Sequence, residues 1–190
     1  GKLAGKPVTD DALRASIAVY NDNRRAVQDL YSYRAEKPWQ APTSEVYLVI
    51  RAGMILPPEE HTQLVRDYIA AVDLEKRPKR DNARVVITGA FCEQPPLGLI
   101  KSIEMAGCYV VDDDFGLVHR WLLDEVPVTG DPLGELSKAF LHRSNQQASK
   151  YDEKKEDKGK LLVHSVKFYG AEGVIFAAPS FCDPALLERP

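Results

Sequence analysis

Cysteine is the residue type through which this chain could do redox or metal chemistry, and one of its three cysteines is placed for it. Cys182 follows the apolar run Gly173 to Ala178 and precedes Asp183-Pro184. Asp is a good helix cap and Pro a good first helical residue, so the spacing predicts a thiol between the end of a strand and the mouth of a helix. Backbone N–H groups at a helix mouth favour the thiolate, the form that binds metal or acts as a nucleophile. A lone cysteine after a strand is equally an ordinary small buried apolar residue, and context must separate the two readings. A second candidate lies in Gly89-Ala90-Phe91-Cys92-Glu93-Gln94-Pro95-Pro96, where Cys92 stands beside an acid, Glu93, and an amide, Gln94. Cys108 opens another apolar run and is expected to be a structural thiol buried in the sheet.

The remaining reactive side chains carry weaker signals. Asp112-Asp113-Asp114 lacks the further spaced ligands of a hard-cation site, and the triplet is expected to cap the next helix and stay solvated. His61, His119, His142 and His164 fall in helical patterns without a metal-binding pair spacing, and are expected at the surface or an interface. There is no GxGxxG, no Walker loop and no GxSxG, so dinucleotide binding, phosphate cradling and serine hydrolysis lack their signatures.

The elements that must position these residues are legible from periodicity. Leu13, Ile17, Tyr20, Val27 and Leu30 share one face of a helix over Thr9 to Arg34, with Thr9 or Asp10 as cap. After Pro38 and Pro42, Glu45 to Gly53 is apolar enough for a strand or a short buried helix, with helix preferred, and Pro57-Pro58 opens a helix that runs to about Leu74. The charged connector Glu75 to Asp81 then gives way to Arg84-Val85-Val86-Ile87-Thr88, a strand ended by Gly89. Pro96 to Ala106 predicts a helix closed by Gly107, and Cys108 to Val111 a second strand. Asp131-Pro132 caps a further helix, a polar stretch from Ser144 to Lys160 leads on to Tyr169, and Gly173 to Ala178 is the third strand.

Strands alternating with helices imply an open, parallel, three-layer α/β sheet of Rossmann or flavodoxin-like type, with a helical N-terminal segment. Residues 1–80 are expected to be the helical segment, part of or packed on a neighbouring domain, and 81–190 the α/β domain. Gly1 is not an initiator and the helix opened at Asp183 stops at Pro190, so the chain reads as truncated at both ends. In such sheets ligands gather beyond the carboxyl ends of the strands, where three loops carrying Cys92, Asp112 to Asp114 and Cys182 should meet.

Composition narrows the class. Apolar residues make up 44% and charged residues 28% of the 190, which is ordinary for a folded globular protein. The net charge of -3, with no basic stripe interleaved with aromatics, gives no support to a nucleic-acid partner. No apolar run reaches the length of a membrane span and the N-terminus lacks the apolar core of a signal peptide, so a cytoplasmic protein with no membrane partner is expected. The cysteines form no CxxC pair and no even-numbered framework, which predicts reduced thiols. Lys150 to Lys160 reads as a solvated helix face.

Thr88-Gly89-Ala90-Phe91-Cys92-Glu93-Gln94-Pro95-Pro96-Leu97-Gly98-Leu99-Ile100, then Gly107 to Asp114, Gly130-Asp131-Pro132-Leu133-Gly134 and Phe181-Cys182-Asp183-Pro184-Ala185-Leu186 together resemble one family. It is that of the benzoyl-CoA reductase and 2-hydroxyacyl-CoA dehydratase subunits, and Phe-Cys-Glu-Gln-Pro-Pro looks like its reductase branch, a B- or C-type subunit. The resemblance implies a catalytic subunit that holds a 4Fe-4S cluster and pairs with a homologous subunit. Electrons would come from an ATP-hydrolysing activator with its own cluster, the substrate being an aromatic acyl-CoA and the product a cyclic dienoyl-CoA. By residue match Cys182 would be the last cluster thiolate, the other ligands lying upstream of residue 1. Cys92 is a further candidate for contact with cluster or substrate, Glu93 the candidate proton donor, and Phe91 and Gln94 candidate substrate contacts. The alternatives are a radical 2-hydroxyacyl-CoA dehydratase subunit and, from another class, a noncatalytic α/β binding module whose Cys92 and Cys182 are merely buried.

Overall fold

The structure, a computed structural model, describes residues 5–89, 95–115, 124–143 and 158–183, apart from the side chains of 142, 143, 158 and 161. Helix α1 spans Asp10–Glu36, its first turn capped by the Thr9 hydroxyl, which accepts from the Ala12 N–H at 3.3 Å. Helix α2 (Thr43–Ala52) starts after Pro42, which offers no side-chain cap. Glu104, from helix α4 (Leu97–Met105), supplies one instead, its carboxylate accepting the Ser44 N–H at 3.0 Å. Helix α3 covers Pro58–Leu74 and opens on a proline, whose fixed φ suits the first helical turn.

Strand β1 (Ala83–Thr88) is a β-branched run whose centre, Val85 to Ile87, is buried. It pairs in parallel with β2 (Cys108–Asp113) on one side and β3 (Gly173–Phe176) on the other, giving the order β2-β1-β3 in an open sheet. After β2 come helix α5 (Pro132–Lys138), which runs into a π-helical turn at Ala139–Arg143, and helix α6 (Lys158–Phe168). The α/β class and parallel sheet expected from the sequence are present. Most of the polar stretch read over Ser144 to Lys160 lies outside the described residues, as does most of Lys150 to Lys160.

One continuous core joins the helices to the sheet. Ala26, Val27 and Leu30 of α1, Val46 and Ile50 of α2 and Val65 of α3 pack in a cluster with Val85, Ile87, Ile100, Val110 and Phe115. Polar ties set the helices against that core. The Thr43 hydroxyl donates to the Val110 carbonyl at 3.1 Å, and Arg84 donates from one nitrogen to the carbonyls of Ala35 and Tyr169 at 2.9 and 2.8 Å. Arg84, near the start of β1, therefore satisfies an orphan carbonyl in the last turn of α1. Asn21 clasps Val126 in both directions, donating to its carbonyl at 2.8 Å and accepting from its N–H at 2.9 Å. That pair holds the segment before α5 against α1, where Ile17, Val126 and Ala139 form a small second cluster.

His61 corrects the expectation that the histidines lie at the surface or an interface. It is fully buried at 0% exposure. Its Nε2 faces the Val49 carbonyl at 3.0 Å and its Nδ1 faces the Asn23 amide nitrogen at 2.9 Å. A carbonyl accepts only and an amide NH₂ donates only, so Nε2 carries the proton and the ring is neutral. A side-chain Cβ at Gly53 would stand 2.5 Å from the ring, which is why glycine ends α2 there. His164, on α6, is exposed as expected, whereas His119 and the side chain of His142 lie outside the described residues.

Burial holds the pKa of His61 below that of a free imidazole, with the Val49 carbonyl acting in the opposite sense. A histidine whose folded pKa is depressed takes up its proton more readily in the unfolded chain, so the fold loses stability as the pH drops through the unfolded value. Between about pH 7.5 and about 5.5 the chain should lose up to about 1.4 kcal/mol per pH unit from this group. Urea denaturation across that range should show the slope in the parent and a flatter profile in His61→Gln.

Candidate functional site at the carboxyl edge of the sheet

The three strands end together, and the segments beyond them converge on Thr88 and Gly89. Asp114, just past β2 and 7% exposed, places one carboxylate oxygen 2.8 Å from the Thr88 hydroxyl and 2.8 Å from the Gly89 N–H, both of which donate to it. Its own N–H donates to the Ile87 carbonyl at 3.1 Å. On the other side, the Ala177 N–H donates to the Thr88 carbonyl at 2.7 Å, extending the β1–β3 ladder beyond β3. Gly89 takes φ +93°, and a Cβ there would lie 3.1 Å from the Phe176 ring, so both conformation and space call for glycine.

The aspartates of β2 are not solvated caps. The register runs Val85 with Val110 and then Val86 with Asp112, so Val111 has no partner in β1 and forms a bulge. Bulges re-aim the residues that follow them. Asp113 meets Arg34 of α1 at 2.6 Å, with the side chains of both 1% exposed, and also accepts from the Tyr31 hydroxyl at 3.2 Å and the Phe115 N–H at 3.1 Å. The Arg34 guanidinium lies 4.5 Å from the Tyr31 ring centroid. Asp112 accepts from the Ser165 hydroxyl of α6. Burial, and then the neighbouring Asp113 charge, push the Asp112 carboxyl above its ordinary pKa.

Beyond β3 the chain makes a tight turn, the Cys182 N–H donating to the Pro179 carbonyl at 3.3 Å. Phe181 takes φ +64° in that turn, the only non-glycine residue with positive φ among those described, and its side chain is 96% exposed. A bulky residue in the left-handed region costs about 1–3 kcal/mol, and such strain persists where the surroundings fix both ends. Its effect is to send Phe181 outward and Cys182 inward, to 7% exposure. Helical backbone begins at Asp183, one residue earlier than the sequence suggests, so Cys182 itself takes the position preceding the helix.

Cys182 is buried in the turn that follows β3, while Thr88, Gly89 and Asp114 are joined directly where β1 and β2 end. Cys92, Phe91, Glu93 and Gln94 lie outside the described residues. Cys108 is half-buried rather than sealed in the sheet. It packs on the core at the amino end of β2 and borders an open cleft of about 290 Å³ with Trp39, Arg80 and Tyr109, at the far end of the strand from Asp114. Arg34 is a site residue that the sequence reading misses. Its signal is positional: Val27, Leu30 and Arg34 follow the i, i+3, i+7 spacing, which puts a cation on the apolar stripe of α1, and a buried cation needs an acid.

The fold and this edge define an open parallel α/β domain with a buried thiol in the turn after its third strand and a carboxylate-pinned end on its central strand. The chain belongs to the 2-hydroxyglutaryl-CoA dehydratase, D-component family, whose profile matches residues 1–190. It is 62% identical over 188 residues to the C-type subunit of benzoyl-CoA reductase from Thauera aromatica, covering 99% of this chain and 49% of that protein. It is 28% identical to the lactoyl-CoA dehydratase subunit beta of Anaerotignum propionicum, over 99% of this chain and 50% of that protein. With the (R)-2-hydroxyglutaryl-CoA dehydratase subunit beta of Acidaminococcus fermentans it shares 27% identity, over 100% of this chain and 50% of that one. The chain thus spans about half the length of the relatives it matches. No helix among the described residues is long and apolar enough to cross a membrane.

The two neighbouring aspartates should respond oppositely to neutralisation. Asp113→Asn leaves the buried Arg34 without its counter-charge and should cost roughly 3–5 kcal/mol. Asp112→Asn removes a carboxyl whose folded pKa is raised, a group whose ionisation weakens the fold as the pH climbs from its unfolded value through its folded one. That variant should match the parent in acid and equal or exceed it at alkaline pH. Denaturant midpoints of the full-length subunit at several pH values would measure both.

Proposed function

We propose that the chain is part of a subunit of an ATP-dependent aryl-acyl-CoA reductase of the benzoyl-CoA reductase type. The observation that carries this reading is the 62% identity to a reductase subunit, against 25–28% to the dehydratase subunits. The reaction adds two electrons and two protons to the ring of an aromatic thioester, which loses aromaticity and becomes a cyclic dienoyl-CoA with the thioester bond intact. The electrons would arrive singly from an ATP-hydrolysing partner that carries its own cluster, and a homologous subunit would complete the catalytic pair.

Cys182 suits the role of one thiolate ligand to a 4Fe-4S cluster. It is a buried sulfur immediately before helical backbone, the donor type such clusters take. Among the described residues no three His, Cys, Asp or Glu side chains converge on one point, so the further ligands would come from outside that set. A bound cluster supplies one-electron transfer at low potential. This chain's residues would hold the ring, exclude water and deliver protons: Glu93 as the acid, with Phe91 and Gln94 against the substrate and Cys92 near cluster or substrate.

The second reading, a radical 2-hydroxyacyl-CoA dehydratase subunit, draws on the family profile and the more distant relatives. It eliminates water without net electron uptake, so stoichiometry separates the two. The purified complex supplied with benzoyl-CoA, reductant and ATP should consume two electrons per dienoyl-CoA formed; dehydration of a 2-hydroxyacyl-CoA with no such consumption would favour the second reading.

Cysteine substitutions test the site. Serine is nearly the size of cysteine but a much poorer ligand for iron. Cys182→Ser in the complete subunit should lower bound iron and acid-labile sulfide and abolish ring reduction, whereas Cys108→Ser should alter stability alone. A Cys182→Ser complex with full iron and parental turnover would remove Cys182 from the site.

A further inference from the structure

We propose that Asp114 is a positioning residue for Cys182, acting through Thr88. The proposal rests on the reading of Cys182 as a cluster ligand, and the geometry is continuous across described residues. The Asp114 carboxylate takes two hydrogen bonds, from the Thr88 hydroxyl and the Gly89 N–H, each 2.8 Å long. The Thr88 carbonyl in turn accepts the Ala177 N–H at 2.7 Å, the first link after β3. From Ala177 the path to Cys182 has little freedom, because Pro179 has its φ fixed by its ring and its carbonyl takes the Cys182 N–H at 3.3 Å. Phe181, at φ +64°, stays in the left-handed region only while both ends of this segment are held. The near end is Thr88, which the β1–β3 pairing holds along the strand and the Asp114 carboxylate pins at its side chain and at the next N–H.

A carboxylate suits this task better than a hydroxyl or an apolar side chain. It can accept both donors at one oxygen, and charge-assisted bonds are about twice as strong as neutral ones. Asp114 reaches that position because the Val111 bulge shifts the β2 register by one residue and because Phe115, 2% exposed and edge-on to Tyr47 with ring centroids 5.6 Å apart, anchors the chain just beyond it. An unshifted β2 would not deliver this side chain to Thr88 and Gly89 in the same way. The neighbouring aspartates are engaged elsewhere: Asp113 turns to Arg34 and Asp112 to Ser165.

The test compares Asp114→Ala, Asp114→Asn and the milder Thr88→Val in the complete complex, with two readouts besides turnover. The first is hydrogen exchange of the peptide covering Phe176 to Cys182; the second is the rate at which a chelator strips iron. Asp114→Ala should speed both by about tenfold or more, with peptides from α1 and α3 unchanged. Asparagine keeps a carbonyl oxygen able to accept both donors, so Asp114→Asn should restore both to within about threefold of the parent. Thr88→Val, which removes one of the two bonds, should fall between and keeps the test decisive if Asp114→Ala does not assemble. Parental exchange and iron loss in Asp114→Ala, an asparagine variant as impaired as alanine, or an effect spread evenly over all peptides would overturn the proposal. If exchange rises as expected but Cys182→Ser leaves iron binding untouched, the positioning of Cys182 stands and its role as a cluster ligand falls.

Discussion

The arrangement of the described helices against the sheet depends on a buried charge pair between the first helix and the second strand. Arg34 and Asp113 each have a side chain 1% exposed and meet at 2.6 Å. Removing two charges from water costs several kcal/mol per ion, and only close geometry with further hydrogen bonds repays it. Asp113 has those bonds, from Tyr31 and the Phe115 N–H, while the Arg34 Nε and Nη2 have no hydrogen-bond partner among the described residues. The pair is therefore better understood as a device for fixing one arrangement than as a source of stability. A helix packed only through Val27 and Leu30 could slide along the sheet at little cost; one whose guanidinium must find a particular carboxylate cannot.

That constraint propagates to the carboxyl edge because the acid is not alone. Asp112, Asp113 and Asp114 leave β2 toward Ser165 of α6, Arg34 of α1 and the Thr88–Gly89 end of β1. One strand end thus addresses three elements with consecutive residues. A regular strand would alternate its side chains between two faces. The bulge at Val111 breaks the register immediately before the triplet, and the strand ends within a residue of it, where the pleat no longer dictates direction.

The regular elements are legible in the sequence because each is written in adjacent residues. Arg84 to Thr88 has β-branched bulk in series, α1 has its apolar stripe and its Thr9 cap, and Gly107 at φ +88° stops the chain where the sequence places the end of α4. The place of Cys182 is legible for the same reason, since strand, turn and cap all lie within a dozen residues. The misplacements come from partners distant in sequence. The aspartates read as solvated because their cation is 79 positions away from Asp113, and His61 reads as a surface residue because its Asn23 partner is 38 positions away. The turn before Asp183 also holds a conformation that a propensity argument misses, since Phe181 takes one ordinarily left to glycine or asparagine.

The two described thiols differ for a reason that lies in the direction of the strands. In a parallel sheet every strand delivers its carboxyl end to the same edge, so residues that follow strands gather while residues that begin them gather at the opposite edge. Cys182 follows β3 and Cys108 begins β2, which separates them by the length of the sheet irrespective of side-chain detail. A substitution at Cys108 is therefore felt by the core and the cleft beside Trp39, not by the strand end that Asp114 holds. Because β1 is the central strand, Thr88 is the one strand terminus with a neighbour on each side, Asp114 reaching it from the β2 side and Ala177 from the β3 side. Any element that must place a residue beyond β3 relative to one beyond β2 has to do so across Thr88, which is why the polar contacts of this edge concentrate there.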